Sequence, residues 1–568
     1  MVLELTLDEI GGDQPQGTGV EVAAISVVNY TPLMLGGWDT ATWQKLANGG
    51  YVGARLLAKP IVGRARWILR NYIIALGLAS NQRRAETAIP IKMESGRKSF
   101  ELGLVQLMWG STNPPWKALY QVHVLQPSIP KQNAMDPDIH PGVKTLTVTR
   151  YKLLTMGKED DRERSIRLQP VKPWGLNAFL KILRRPLPRS TIETRVLEEI
   201  DRLAILTTIL SLRVYGVGKG ATRGFGRFRT EITRTGRGVD ERFIRDLRDL
   251  LRGLDQGRGD RLESLVSITL ESISRLADKK GVGDALGKIN VRTYKIGRAN
   301  KDRLEGTYGN MFRRKERSKR LQYLRKKRGV YLALESIALA TLKNAWKTVL
   351  ARNTIRGGGD LHTWILGLPR QQKLIKNCWP TRDGDKLPTG YAVVEYKNGR
   401  EVPGRFVLVS SLRNVRCSDP SEDPSDRIIN IYEVRVDPKR AQSPIILFPL
   451  NADDRQVVIA AVVHKHFTRD YLEVYGQLYH LGGLASAPGP TQACAVRGVK
   501  VRDIVEGAYR KGFSICVPQR GGVRVYRNNP RSGIARPRNC TLAGESDVEK
   551  VLEAALCFID EILGRPGV

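Results

Sequence analysis

Apolar residues recur along this chain with two periods. From Val20 to Val28 (VEVAAISVV) they predict a partly buried strand. After a loop broken by Pro32, Gly36 and Gly37, the residues Ile61, Ala65, Ile68, Tyr72, Ala75 and Leu76 fall at helical spacing. Pro60 suits the first turn of that helix, where its missing N–H costs little. Gly63 is expected to permit close packing near the helix start. Lys98 to Gly110, Ala118 to Leu125 and Val143 to Leu154 read as extended. Ser190 and Glu193 form a capping-box pattern ahead of a stripe made by Val196, Ile200, Leu203, Leu206 and Leu210. Strand, helix, strands, helix, glycine-rich loop and strand is close to the order of a ferredoxin-like or RRM-like half.

The pattern changes from Asp240. Phe243, Ile244, Leu247, Leu251 and Leu254, then Leu262 to Leu276, predict two amphipathic helices. A glycine-rich linker (KKGVGDALGK) and a basic arm follow. The arm, Arg313 to Arg328, holds ten cations and one acid, including Arg313, Arg314, Arg317 and Arg320. If it reaches even six phosphates, raising salt from about 50 to 200 mM weakens binding roughly a thousandfold on the duplex-DNA scale. The alternative is a solvated segment. Val330 to Leu350 reads as an apolar helix, with strands near Arg405 to Leu412, Ile428 to Val436 and Val457 to Val463. The chain closes on a helix from Ser546 to Leu563, with Ser546 and Glu549 as a capping box and Gly564 as the stop.

Charge narrows the function. The 93 Lys and Arg against 57 Asp and Glu give a formal charge of +36, which favours a polyanionic partner by steering and counterion release. General or ribosome-associated RNA binding fits the same excess. No apolar run of about 18 residues predicts a membrane span, and no basic-then-apolar leader predicts secretion. The six cysteines are widely spaced without a CxxC pair, which argues against a zinc module and a disulfide scaffold. A cytoplasmic protein with no membrane partner, cofactor or metal is expected.

Tyr215 to Phe228 (YGVGKGATRGFGRF) holds the candidate chemistry. Gly216, Gly218, Gly220, Gly224 and Gly226 are interleaved with Lys219, Arg223 and Arg227, and Thr222 lies among them. Such density allows positive φ, close backbone approach and an amide nest for phosphate. The nucleotide patterns fail, since Lys219 precedes a glycine and Ala221 stands where a third dinucleotide-loop glycine belongs. Arg64, Arg66 and Arg70 give the first predicted helix a basic face, either a second phosphate surface or a solvated stripe. Phe225 is a stacking ring or a core anchor. The histidines His123, His140, His362, His464, His466 and His480 are remote in sequence from that helix, and His464 with His466 reads as a surface or structural pair.

NYTPLMLGGWDT, KPIVGRARWILR, LMWGS and GVGKGATRGFGRF together resemble the RAMP superfamily of CRISPR RNA-binding proteins. They look most like the family of the first Cmr subunit of type III-B effector complexes. LHTWILGLPRQ, with Arg370, and DPKRAQSPIILFPL, with Lys439 and Arg440, resemble the second half of that family. The loop here keeps R-G-F-G at Arg223 to Gly226 with fewer arginines before it.

The resemblance implies an α+β fold of two ferredoxin-like RAMP halves with a basic helical insertion and a C-terminal extension. The expected divisions are 1–236, 237–330, 331–467 and 468–568. It implies a non-catalytic subunit that meets the 3′ region of CRISPR RNA, incoming single-stranded target RNA and other Cmr RAMP subunits. The alternative within the superfamily is an endoribonuclease. For that activity Asp39, in the loop after the first strand, is the candidate, since RAMP subunits that cut target RNA use a loop aspartate in a similar place.

Overall fold

A computed structural model describes residues 19–34, 42–48, 51–53, 55–95, 98–112, 115–135, 169–187, 192–236, 238–279, 281–310, 321–322, 324–352, 363–366, 405–409, 428–435, 443–453, 456–467, 495–500 and 547–566. Asp39, Arg313, Arg314, Arg317, Arg320, Arg370, Lys439 and Arg440 lie outside these residues, as do Ser190, Ser546 and the expected strand at Val143 to Leu154. The structure is α+β with antiparallel sheets, and it divides into two compact units. One comprises 1–340, 445–466 and 562–568, and the other 341–444 and 467–561.

The first unit opens with β1 (Val20–Asn29), α1 (Ala58–Ala75), β2 (Tyr120–Leu125), β3 (Asn177–Arg184), α2 (Thr194–Leu210) and β4 (Phe228–Thr235). The sheet order is β4-β1-β3-β2 with every neighbour antiparallel, the strand order of a ferredoxin-like fold. Period-two alternation sends Ile25, Val27, Leu180, Ile182, Val122 and Ile232 into the core. The apolar stripes of α1 and α2 meet them there, and Ile61, Ala65, Ile68, Tyr72, Ile200, Leu203 and Leu210 are fully buried. Each buried leucine or isoleucine among them contributes about 1.5–3 kcal/mol by leaving water.

Two local expectations change. Lys98 to Gly110 is not one extended run: a hairpin strand ends at Gly103, and a short helix occupies Leu104–Trp109. All six helix residues are buried, so LVQLMW has no polar face from which a period can be read. Gly63 makes no close contact either: it is exposed on α1, and a Cβ there would meet nothing within 4 Å. Gly63→Ala is therefore expected to stabilise the protein by about 0.5–1 kcal/mol through helix propensity alone. A higher urea midpoint at unchanged m-value is the check; an unchanged or lower midpoint would contradict it.

The segment after residue 236 is less of an insertion than its charge suggests. α3 (Glu241–Asp255), capped by Asp240, packs on β4, and α4 (Gly259–Leu276) packs on α2. A short helix then leads into β5 (Ile289–Lys295). α5 (Gly329–Ala340), β6 (Ile445–Ala452) and β7 (Val457–His464) complete a second antiparallel sheet of order β5-β7-β6, with α5 packed on β6 and β7. The expected boundary at 330/331 thus separates β5 from its own sheet. Every residue of β7 is buried, as a strand covered on both faces requires. The end of the basic arm is also internal, since Lys327 is buried against Glu335 at 2.7 Å.

The second unit contains a helix at Lys343–Arg352 and a three-stranded antiparallel sheet. That sheet joins Arg405–Val409 and Ile428–Arg435 to Ala495–Lys500. Two strands expected beside Val457–Val463 thus belong to a sheet of their own. Trp346 stacks on Phe558 of the last helix, Asp547–Leu563, with centroids 4.6 Å apart.

Candidate nucleic-acid interface

α2 runs into a π-helical turn, Ser211–Tyr215, which delivers the chain to the glycine-rich loop. All five glycines take left-handed angles: φ is 66° at Gly216, 84° at Gly218, 74° at Gly220, 89° at Gly224 and 65° at Gly226. Side chains other than glycine are strained there. At Gly226 a Cβ would also strike the Val217 carbonyl.

The amides of this loop are largely spent on the protein. Val217 N donates to Gly226 O (3.0 Å), Lys219 N to Met34 O (3.2 Å), Arg223 N to Gly220 O (2.8 Å) and Gly226 N to Pro32 O (3.0 Å). The loop therefore closes on itself and on the segment after β1 rather than opening an amide nest. What it offers outward is an exposed Gly218 with half-buried Lys219, Gly220, Thr222 and Arg223.

Arg227 turns inward. It is 0% exposed, and its guanidinium donates to the carbonyls of Ala221 (2.8 Å) and Phe225 (3.5 Å) and lies 5.0 Å from the Phe448 ring. Burial pulls its pKa down to about 9. An arginine so placed braces the loop and has no free face for a phosphate, which corrects the sequence expectation. Phe225 is the core anchor of its two alternatives, packed with Val330 and Leu334.

The cations of α1 are similarly committed. Arg66 donates twice to Glu86 (3.1 and 2.8 Å) and Arg70 once to the same carboxylate (3.0 Å). Two guanidiniums on one carboxylate leave a weaker positive surface than three free arginines would. Arg64 lies 5.5 Å from the Trp67 ring, and burial lowers its pKa to about 10.

Trp67 in turn meets Tyr215 and His464 edge-on at 5.3 and 5.7 Å. The Tyr215 hydroxyl bridges Tyr72 (3.2 Å) and His464 Nε2 (3.1 Å). His464 is thus brought to α1 by β7, across a sequence distance that hid the pairing. Burial holds the His464 imidazolium well below its ordinary range, and His466 falls to about 3 with Lys288 adding to the effect. His123 lies exposed on β2, while His140, His362 and His480 are outside the described residues.

Trp174 was absent from the sequence expectations. It is 53% exposed with φ of 63°, and the Arg229 guanidinium lies 4.7 Å from its ring. The isolated K-P-W-G run carries only a weak turn signal. Among the described residues, no group of three His, Cys, Asp or Glu side chains is arranged to hold a metal ion. No described helix is long and apolar enough to cross a membrane.

No family model and no curated protein matches the chain. Among solved structures it is similar to a chain of the type III-B Cmr-beta bound to cognate target RNA. The identity is 12%, the match covers 78% of this chain and 94% of that one, and the TM-score is 0.37. For Cmr-beta bound to cognate target RNA and AMPPnP in the presence of ssDNA, the identity is 11%, the coverage 79% and 94%, and the TM-score 0.39. For apo Cmr1 from Pyrococcus furiosus the identity is 12%, the coverage 61% and 82%, and the TM-score 0.28.

Proposed function

We propose that this chain is a non-catalytic RNA-binding subunit of a type III-B CRISPR (Cmr) effector complex. In it the chain contacts the 3′ region of CRISPR RNA and incoming single-stranded target RNA beside other Cmr RAMP subunits. One observation carries this assignment. The R-G-F-G run, Arg223 to Gly226, lies in a left-handed glycine loop between α2 and β4 of a ferredoxin-like half, where the family it resembles carries its own.

Within that role Lys219, Thr222 and Arg223 meet the RNA backbone, while Phe225 and Arg227 hold the loop's shape from inside. Arg64 extends the basic surface along α1, with Arg66 and Arg70 reduced by Glu86. The strands β5, β6 and β7 with α5 form three of the four strands of a second RAMP half, which on this account starts near Ile289 rather than residue 331. The formal charge of +36 supplies general affinity for a polyanion.

The test is a salt titration of single-stranded RNA binding. For Lys219→Ala combined with Arg223→Ala, the slope of log affinity against log salt is expected to flatten by about 1.4, two single-strand phosphate contacts' worth. An unchanged slope would remove the loop from the interface. Incubation with labelled CRISPR and target RNA, with and without Mg²⁺, is expected to leave both intact. Cleavage that disappears in Asp39→Ala would instead establish the endoribonuclease alternative.

A further inference from the structure

Trp174 packs one part of its ring near Tyr30, with centroids 6.5 Å apart, and leaves the rest in water. Its backbone is left-handed, a region that bulky L-residues avoid, and just over half of the residue is in water. The conformation is over-determined by its neighbours. Asn29, fully buried at the end of β1, accepts from Trp174 N through its carbonyl (2.6 Å) and from Leu176 N through Oδ1 (2.8 Å). Its Nδ2 donates to Lys172 O at 2.9 Å, and Asn133 Nδ2 holds Gly175 O at 2.8 Å from the other side. A strained residue held this firmly and pointed outward marks a presented side chain rather than an accident of packing.

The surroundings of the ring select its ligand. Arg229 lies over it at 4.7 Å and is itself held by Asp255 at 3.5 Å, so the cation–π pair is pre-oriented. Lys172 beside it is exposed. Val28 pairs with Arg229 on β4 and with Asn177 on β3, and two residues beyond Asn177 on β3 is Phe179, 53% exposed. Ala178 and Leu180 point into the core, so Phe179 occupies the opposite face of the sheet. Tyr30, the residue after β1, donates its N–H to Arg227 O, which ties this corner to the close of the glycine loop. Exposed rings on a ferredoxin-like sheet, with cations beside them, suit unpaired bases whose phosphates need neutralising.

We infer that Trp174 is a stacking platform for an unpaired base of single-stranded RNA, with Arg229 fixing the ring and Phe179 continuing the path across the open sheet face. This rests on the RNA-binding function proposed above and adds a base-contacting site to its phosphate contacts.

The test compares Trp174→Gly, Trp174→Ala and Trp174→Phe with the unaltered full-length chain, using a fluorescein-labelled single-stranded RNA at several salt concentrations. Glycine suits the left-handed backbone, so Trp174→Gly is expected to melt no lower than the unaltered protein while binding about 5- to 100-fold more weakly. The salt slope stays unchanged, since no charge is removed, and Trp174→Phe recovers most of the affinity. A second readout needs no substitution: RNA carrying 5-iodouridine, crosslinked by ultraviolet light, is expected to label the peptide that contains Trp174. Full RNA affinity in Trp174→Gly, or crosslinks confined to other peptides, overturns the platform and leaves the RNA-binding function standing. Equal losses in Trp174→Phe and Trp174→Gly overturn stacking in particular. Failure of the unaltered chain to bind RNA overturns both.

Discussion

Glu335→Gln is expected to lower the unfolding free energy by about 3–5 kcal/mol, the usual effect of stranding one half of a buried ion pair. Lys327 and Glu335 have side chains only 6% and 1% exposed, with Nζ and Oε2 2.7 Å apart. Burial already pushes the Lys327 ammonium towards losing its proton, and the facing carboxylate is the main force that restores it. Glutamine keeps the shape and one acceptor but removes the charge, so the ammonium stays out of water without the carboxylate that offsets its burial. The matching double variant, Lys327→Met with Glu335→Leu, is expected to recover most of the loss, because two apolar groups carry no desolvation penalty. Denaturant unfolding of both singles and the double reads the coupling directly. A loss below about 1 kcal/mol in Glu335→Gln would be the value of an exposed pair and would contradict the burial described here.

That pair also shows what the sequence conceals. Counted along the chain, Lys327 is one of ten cations between Arg313 and Arg328, and a run of that density predicts solvent or phosphate at every position. Its burial depends on α5 packing, which no local pattern encodes. The same holds for Arg227, which fills the loop fully buried while its neighbours Arg223 and Lys219 are only half-buried. Composition cannot distinguish a phosphate ligand from an internal brace. By contrast, the stripes of α1 and α2 are legible, because every member of the α1 stripe points to one core. The left-handed loop is legible because five glycines in eleven residues have few other uses. β5 was hidden for a different reason. INVRTYK is buried only at Ile289 and Tyr294, and its place is set by pairing with β7 more than 160 residues later, Ile289 opposite His464. Long-range pairing leaves its signal on the partner, where the all-apolar β7 does read as a strand.

Acidification is expected to destabilise the first unit from pH 6.5 downward, well before carboxylates titrate. In the folded chain His464 packs against Tyr215 and Trp67, and His466 meets it edge-on at 5.3 Å, beside Lys288. Burial lowers both imidazolium pKa values, His466 to about 3. Unfolded histidine titrates near 6.5. Above that pH both states are neutral at these sites, and their contribution to stability is constant. Below it the unfolded chain takes up protons that the folded chain refuses, so stability falls, by at most about 1.4 kcal/mol per pH unit for each histidine. His466 alone removes about 2 kcal/mol between pH 7 and pH 5, its decline continuing until pH approaches its folded value of about 3, and His464 adds to the loss in the same direction. His464→Gln retains an acceptor for the Tyr215 hydroxyl and removes one titrating group. It is expected to reduce the slope of unfolding free energy against pH in the window from 6.5 to 5, leaving the part that His466 supplies. Urea unfolding across that window gives the slope. A curve that matches the unaltered protein would mean that His464 takes up its proton in the folded state, which would require water to reach the Tyr72–Tyr215–His464 chain.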